Sequence, residues 1–130
     1  MLIAYLAGGY DDQKHGWRTR LGKELRPPIE GINPFLHNQK SIDQFVAEDL
    51  ESIRGSDILI AYNSGDYISY GMAAEIGYAR ALGIPVILVD ETTHPNSFLV
   101  GCSKRLFTSM DALIEWWNNG HGEKLSNAET

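Results

Sequence analysis

Cysteine, long apolar runs and positive charge are scarce in this chain of 130 residues, and each scarcity excludes a class of protein. The single cysteine, Cys102, rules out a disulfide framework and a multi-cysteine metal site. No apolar run approaches the ~20 residues of a membrane span. Eleven Lys and Arg against 17 Asp and Glu give a net charge of −6, which disfavours nucleic-acid binding. These scarcities predict a soluble, cytoplasmic protein with no nucleic-acid or membrane partner.

Sequence patterns for metals, dinucleotides and export are missing as well. The histidines are scattered without the spacing of metal ligands: His15, His37, His94 and His121. Gly8-Gly9 is not a G-x-G-x-x-G fingerprint. The first ten residues lack a basic segment ahead of their apolar stretch, which indicates a strand rather than a signal peptide. We therefore expect neither a metal nor a cofactor.

Short apolar runs alternate along the chain with segments of helical period. The spacing predicts strands over residues 2–7, 29–35, 57–62, 85–90 and 105–108. It predicts helices over residues 17–25, 42–54, 70–82 and 109–117. Because the strands are continuously apolar, we expect an α/β fold: a single-domain parallel sheet of about five strands flanked by helices, in a Rossmann-like or flavodoxin-like three-layer sandwich. The domain spans residues 1–119, and residues 120–130 form a polar, frayed tail.

The loops after the predicted strands are the expected binding region. In open parallel sheets, ligands bind beyond the carboxyl ends of the strands, where the strand order reverses. The corresponding loops are Gly8–Gly16, Asn63–Ser69 and Glu91–Ser97.

A carboxylate interrupts the apolar stripe of the second predicted helix, which we expect to face the core. The stripe consists of Ile42, Phe45, Val46, Leu50 and Ile53. The position that the spacing leaves out is Asp49. Ionised carboxylates are rarely buried without partners. Asp49 therefore either lies at the edge of the stripe, caps a nearby group, or has a functional role.

Glu75 is the second unusual carboxylate. None of its neighbours one turn away on the predicted helix is basic: Gly71, Met72, Tyr78 and Ala79. The ordinary role of a helical glutamate, a solvated ion pair, therefore lacks a partner on this helix. Small residues around Glu75, including Gly71, leave room for another group, and the nearby start of the helix favours the ionised carboxylate. These features are typical of a nucleophile.

Three segments carry a resemblance to a known family. They are the opening strand Ala4–Gly9, the pair Glu48–Leu50 and Ser56–Ala61, and the stretch Ser69–Ala79 with Leu82–Ile87 after it. Together they resemble the nucleoside 2-deoxyribosyltransferase family, including its 2′-deoxynucleoside 5′-phosphate N-hydrolase relatives. The likeness covers residues 2–117.

The resemblance implies roles for several residues. Glu75 would attack the sugar C1′, Asp49 would protonate or orient the nucleobase, and Tyr5 would hydrogen-bond near the nucleophile. Gly8 and Gly9 would let the backbone approach the substrate. An aromatic residue in a first strand is ordinarily part of the core, so the role of Tyr5 depends on the family alone.

The implied activity is cleavage of the N-glycosidic bond of a 2′-deoxynucleoside or its 5′-monophosphate. The deoxyribosyl group would pass through a covalent ester to another base or to water. The family also implies a homodimer or a higher homo-oligomer. A nucleotide-binding or sensing module of the same fold, without turnover, is the alternative.

The 5′ end of the substrate is where this sequence departs from transferases of free nucleosides. Those enzymes tend to carry an aspartate six residues before the glutamate, where this chain has Ser69, which can donate to a phosphate. Ser97 resembles a second phosphate-binding serine that reaches the neighbouring subunit's site, although loop serines commonly serve turns. Asp66 would contact a 5′-hydroxyl or repel a phosphate. Arg18 either binds phosphate or is solvated on the first helix.

Overall fold

The computed structural model describes residues 1–9, 16–36, 41–66 and 68–128. The strands are β1 (Leu2–Gly8), β2 (Ile29–Ile32), β3 (Ile58–Asn63), β4 (Val86–Asp90) and β5 (Arg105–Phe107). The helices are α1 (Trp17–Glu24), α2 (Ile42–Arg54), α3 (Tyr70–Ala81), α4 (Ser97–Gly101), α5 (Met110–Trp116) and α6 (Gly122–Ala128). Most of the predicted loop Gly8–Gly16, including His15, lies outside the described residues, as does His37.

The five strands form one parallel sheet in the order β2-β1-β3-β4-β5. This is the flavodoxin-like order, and the predicted α/β fold with a five-stranded parallel sheet is confirmed. The strand order reverses between β1 and β3, so the expected binding crevice lies at their carboxyl ends. Gly8 pairs there with Tyr62, and Asn63 pairs with Asp90 of the next strand.

The two faces of the sheet are covered by different helices. The face under α1 and α5, which we call the packed face, holds large apolar side chains, among them Trp17, Leu21, Leu25, Val89, Leu113 and Trp117. The face under α2 and α3, which we call the cavity face, is built from Tyr5, Ala7, Ile53, Leu59, Ala61, Met72, Ile76, Ala79, Val86 and Leu88. The smaller side chains on the cavity face leave space at one end of the sheet.

Serine side chains mark the beginnings of three helices. Ser41, Ser69 and Ser109 each accept a hydrogen bond from the backbone N–H three residues later. Such caps satisfy one of the amide groups that the first turn of a helix leaves without a partner. α5 begins at Met110, directly after its cap Ser109, within one residue of the predicted start of that helix.

The C-terminal segment is helical rather than frayed. A kinked turn over Trp117–His121, with Gly120 at a φ of 104°, leads into α6. Leu125 of α6 packs against the packed face, and Gly122 lies so close to the indole of Trp117 that a Cβ would clash with it. The prediction of fraying from polar composition is therefore wrong over α6, which packs through Leu125 and through the close approach of Gly122 to Trp117.

Two local predictions differ from the structure. The predicted strand 29–35 ends at Ile32, and residues 34–36 form a 3₁₀ turn in which the side chain of Asn33 accepts from the N–H of Phe35. The short helix α4 was not predicted, and it begins where the Asn96 side chain accepts from two backbone N–H groups. Among the described residues, no helix is long and apolar enough to cross a membrane.

Candidate active site

A cavity of about 230 Å³ opens beyond the carboxyl end of β1, between α2 and α3. Both unusual carboxylates, Asp49 and Glu75, line it. It also brings together four other residues singled out from the sequence: Gly8, Gly9, Ser69 and Gly71. Two acidic side chains that are far apart in the chain therefore face one small space.

Tyr5, in β1 of the sheet, hydrogen-bonds to the carboxylate of Glu75 in α3. Its side chain is fully buried, and its hydroxyl donates a hydrogen bond to Oε2 of Glu75. Burial raises the pKa of the Tyr5 hydroxyl above its ordinary value, and the charges of Glu75 and Asp49 act in the same direction. Tyr5 therefore keeps its proton at neutral pH and remains a hydrogen-bond donor to Glu75.

The carboxyl of Glu75 titrates close to neutral pH. Its pKa is raised from 4.5 to about 7, mainly by burial and in the same direction by the charge of Asp49. The hydrogen bond from Tyr5 and the charge of Arg18 oppose the shift. A carboxyl group with this pKa is present in both its ionised and its protonated forms at physiological pH.

The apolar stripe of α2 lines the cavity rather than the core over most of its length. Ile53 is fully buried as predicted, but Phe45 and Val46 are 40% and 43% exposed and lie in the cavity wall. Leu50 is half-buried in the same wall. The prediction that this stripe faces the core is therefore wrong except at its end. Asp49 lies among these apolar groups in the wall of the cavity.

Sequence reasoning missed the apolar walls of the cavity. They are formed by Pro34, Phe35, Phe45, Val46, Leu50 and Met72. Pro34 and Phe35 were assigned to a strand, although Asn33-Pro34 is a turn dipeptide and could have indicated the loop. For α2, the carboxylate of Asp49 within an apolar stripe could have indicated that the stripe lines a cavity.

Arg18 lies behind the cavity wall. It is buried, and its guanidinium donates to the carbonyls of Leu6, at 3.0 Å, and Gly8, at 3.4 Å. The guanidinium also lies over the rings of Trp17 and Phe35, with its Cζ 4.5 and 5.1 Å from the two centroids. Of the two alternatives predicted for Arg18, the solvated one is therefore wrong, and its role as a phosphate ligand stays a prediction. Arg18 is not among the described residues that line the cavity, and it fixes the end of β1.

Gly8 lies where β1 closely approaches the indole of Trp17 in α1 and the backbone of Tyr62 in β3. A Cβ at this position would lie 3.0 Å from the indole of Trp17 and 3.3 Å from the carbonyl oxygen of Tyr62. Both neighbours are buried and cannot move aside freely. A side chain at this position would push these neighbours aside by a few tenths of an ångström, so the close approach favours glycine.

A second, wider cavity of about 870 Å³ adjoins the first and shares Ser69, Met72 and Ala74 with it. Asp66 lines this second cavity. Ser97 is exposed at the start of α4 and is not among the described residues that line either cavity, although both its chain neighbours line the second. Three exposed apolar side chains line the second cavity: Ile68, Tyr70 and Phe98.

No group of three or more His, Cys, Asp or Glu residues that could hold a metal occurs within the four described ranges. His94 lines the second cavity, and His121 stacks on Trp116 at 4.6 Å between ring centroids.

A family model described as nucleoside 2-deoxyribosyltransferase matches residues 4–123. A conserved protein from Enterococcus faecalis has the same fold, with a TM-score of 0.72 and 22% identity, over 88% of this chain and 96% of that one. A 2-deoxyribosyltransferase from Bacillus psychrosaccharolyticus aligns with a TM-score of 0.68 and 22% identity, over 86% and 90% of the two chains. The CMP N-glycosidase from Clostridium botulinum is 25% identical, with a TM-score of 0.66, over 87% and 94%. No curated protein matches the sequence.

Proposed function

The chain belongs to the nucleoside 2-deoxyribosyltransferase family, and from that premise we propose that it breaks the N-glycosidic bond of 2′-deoxynucleosides or their 5′-monophosphates. One observation carries the proposal: a carboxylate held by the hydroxyl of Tyr5 lines the same cavity as Asp49. The 25% identity with a CMP N-glycosidase supports glycosidic cleavage as the reaction class.

The proposed reaction has two displacements at C1′. Glu75 attacks C1′, and the departing base takes the electron pair of the C–N bond while Asp49 donates a proton or a hydrogen bond to it. The transition state resembles an oxocarbenium ion, whose positive charge the ionised Glu75 stabilises. A second base or water then attacks C1′, passes its proton to Asp49, and releases Glu75 as a carboxylate. The configuration at C1′ is retained because it is inverted twice.

The walls of the cavity suit this substrate. A nucleobase is flat and largely apolar on its two faces, and the cavity presents Phe35, Phe45, Val46 and Leu50 to such a surface. Asp49 supplies the polar contact to an edge of the base. Gly8 and Gly9, without side chains, leave the sugar access to Glu75.

We place the 5′ end of the substrate at Ser69, where the two cavities meet. The Ser69 hydroxyl accepts from the N–H of Met72, which leaves its own proton available for a phosphate oxygen. The start of α3 adds the favourable end of the helix dipole. Ser97 of a second copy would add another donor, and Asp66 limits the negative charge that this end can hold. A 5′-monophosphate is therefore the preferred form in this proposal.

The proposed assembly is a homodimer or a higher homo-oligomer. Ile68, Tyr70 and Phe98 are each more than 70% exposed and surround the second cavity. Such an apolar patch is typical of a surface that another chain covers. Light scattering after size exclusion would measure the mass of the particle. A monomer at the concentrations used for activity would overturn this assembly; the cytoplasmic location stays a prediction.

The test of the proposed function is turnover. The protein is incubated with 2′-deoxynucleosides and with their 5′-monophosphates, and the free base is measured by chromatography. Adding a second base distinguishes transfer from hydrolysis. A nucleotide with fluorine at C2′ of the sugar should leave a glycosyl adduct on Glu75 that mass spectrometry detects.

Two other outcomes would contradict parts of the proposal. Intact substrates that bind tightly would identify a nucleotide-sensing module instead of an enzyme. Equal kcat/KM values for the phosphorylated and unphosphorylated substrates would undo the role given to Ser69.

A further inference from the structure

A chain of hydrogen bonds joins the ends of β3 and β4 beside the proposed active site. Asp90, the last residue of β4, is 1% exposed although it is a carboxylate. Its Oδ1 accepts from the backbone N–H of Thr92 at 2.9 Å and from the hydroxyl of the same residue. Its Oδ2 accepts from Nδ2 of Asn63 at 3.1 Å. Both oxygens of this buried carboxylate are therefore bonded.

The ring continues through Asn63 to the next loop. The other side-chain atom of Asn63, Oδ1, accepts from the backbone N–H of Gly65 at 3.2 Å. Gly65 adopts a φ of 91°, and a Cβ there would lie 2.9 Å from Cγ2 of Thr92. Hydrogen bonds link Thr92, Asp90, Asn63 and Gly65 in that order, and Gly65 lies against the side chain of Thr92; we call this group the Asp90 ring.

The Asp90 ring forms part of the wall of the second cavity. Asn63, Gly65 and Thr92 line that cavity together with Ser69. The loop that the ring holds, residues 63–66, leads from β3 towards the capping serine of α3. Its shape therefore decides how much space lies beside Ser69.

We infer that Asp90 is a positioning residue that sets the 5′-end subsite through Asn63 and Thr92. This inference rests on the proposed function, because it takes Ser69 as the place of the 5′ end. Asp90 lines neither cavity among the described residues and takes no part in bond breaking. It acts on the affinity for the 5′ group and not on the attack at C1′.

The strongest test exchanges the two polar side chains of the ring. Asp90→Asn alone places two amide groups against each other, because the donor of Asn63 then faces a second donor. The double variant Asp90→Asn with Asn63→Asp restores one donor and one acceptor. The matched control is Asp57→Asn at the opposite end of the strands, just before β3, where Asp57 also accepts a backbone N–H, from Ile3 at 2.8 Å.

For Asp90→Asn we expect KM for the 5′-monophosphate to rise about tenfold while kcat stays within about twofold. The double variant should return KM to within about threefold of the wild type, since coupled groups are not additive. Amide hydrogen exchange at Gly65 and Thr92 should accelerate in the single variant and recover in the double variant. Asp57→Asn should change none of these values.

A fall in kcat with unchanged KM, or a double variant as impaired as the single one, would overturn the inference. Failure of the proposed function is visible separately, as a wild type that cleaves no deoxynucleoside or monophosphate. In that case the dissociation constant of the intact 5′-monophosphate replaces KM. An affinity equal in the wild type and Asp90→Asn would then overturn the inference as well.

Discussion

On the packed face of the sheet, Leu21, Leu113 and Trp117 are fully buried, whereas on the cavity face Phe45 and Val46 of α2 are 40% and 43% exposed. Both faces are apolar, so composition does not distinguish them. The difference is that α1 and α5 pack directly on the strands, while Phe45 and Val46 in the first half of α2 line a cavity. We therefore expect truncation of an apolar side chain to cost more stability on the packed face than in the first half of α2.

The largest expected effect comes from removing the carboxylate of the cavity face. Glu75→Gln keeps the shape of the side chain and an acceptor for Tyr5, but it removes the proposed nucleophile. We expect kcat/KM to fall by about a thousandfold or more while the fold is retained. The matched control is Glu115→Gln on α5, which is exposed and far from the cavity. Comparable activity in the two variants would remove Glu75 from the mechanism.

The raised pKa of Glu75 predicts that the free energy of unfolding depends on pH. Its folded pKa of about 7 lies above the ordinary value of 4.5, so the folded state binds its proton more tightly than the unfolded state does. The resulting stability is complete below about pH 4.5 and is lost as the pH rises through about 7. At pH 8 the loss amounts to roughly 3 kcal/mol at most.

Denaturant unfolding of the wild type and Glu75→Gln at pH 5 and pH 8 measures this loss. We expect the free energy of unfolding of Glu75→Gln, relative to that of the wild type, to be higher at pH 8 than at pH 5. The same ionisation should give kcat/KM an acidic limb near pH 7. A wild type whose stability advantage over the variant grows with pH would contradict the pKa given to Glu75.

A matched pair of valines tests the comparison of the two faces directly. Val89→Ala removes two methyl groups from the packed face, where the side chain is fully buried, and should cost about 2 kcal/mol. Val46→Ala makes the same change in the cavity wall and should cost less than about 0.5 kcal/mol. Chemical denaturation gives both values. We expect KM to rise only for Val46→Ala, and equal losses of stability would break the comparison.

A matched pair of helix caps gives the smallest effect. Ser69 on the cavity face and Ser109 on the packed face accept equivalent backbone hydrogen bonds. Replacing either serine with alanine should cost about 1 kcal/mol in unfolding free energy. Only Ser69→Ala should also raise KM for a 5′-monophosphate. An unchanged KM in that variant would reduce Ser69 to a helix cap.

Much of the fold could be predicted from the sequence because strand and helix periods are local properties. The parallel sheet followed from uninterrupted apolar runs such as those of β3 and β4. The docking of α6 could not be predicted in the same way. It depends on Gly122 meeting Trp117, a contact between residues whose spacing carries no pattern.

Part of the site could also be predicted, for a physical reason. Glu75 and Asp49 each conflict with their own helix, one by lacking a basic neighbour and one by interrupting an apolar stripe. Such local conflicts are common at functional sites. The apolar walls could not be predicted, because Phe45 and Val46 follow the same period whether the helix faces a core or a cavity.

The position of Tyr5 has a thermal consequence. Tyr5 lies within β1, where it pairs with Ile32 on one side and Leu59 on the other. Local opening upon heating begins in segments with few buried contacts, such as the exposed half of α2, and reaches an interior strand last. The proposed contacts of α2 with the base should therefore loosen while Glu75, the proposed nucleophile, stays bonded to Tyr5. Warming is therefore expected to raise KM well before it lowers kcat.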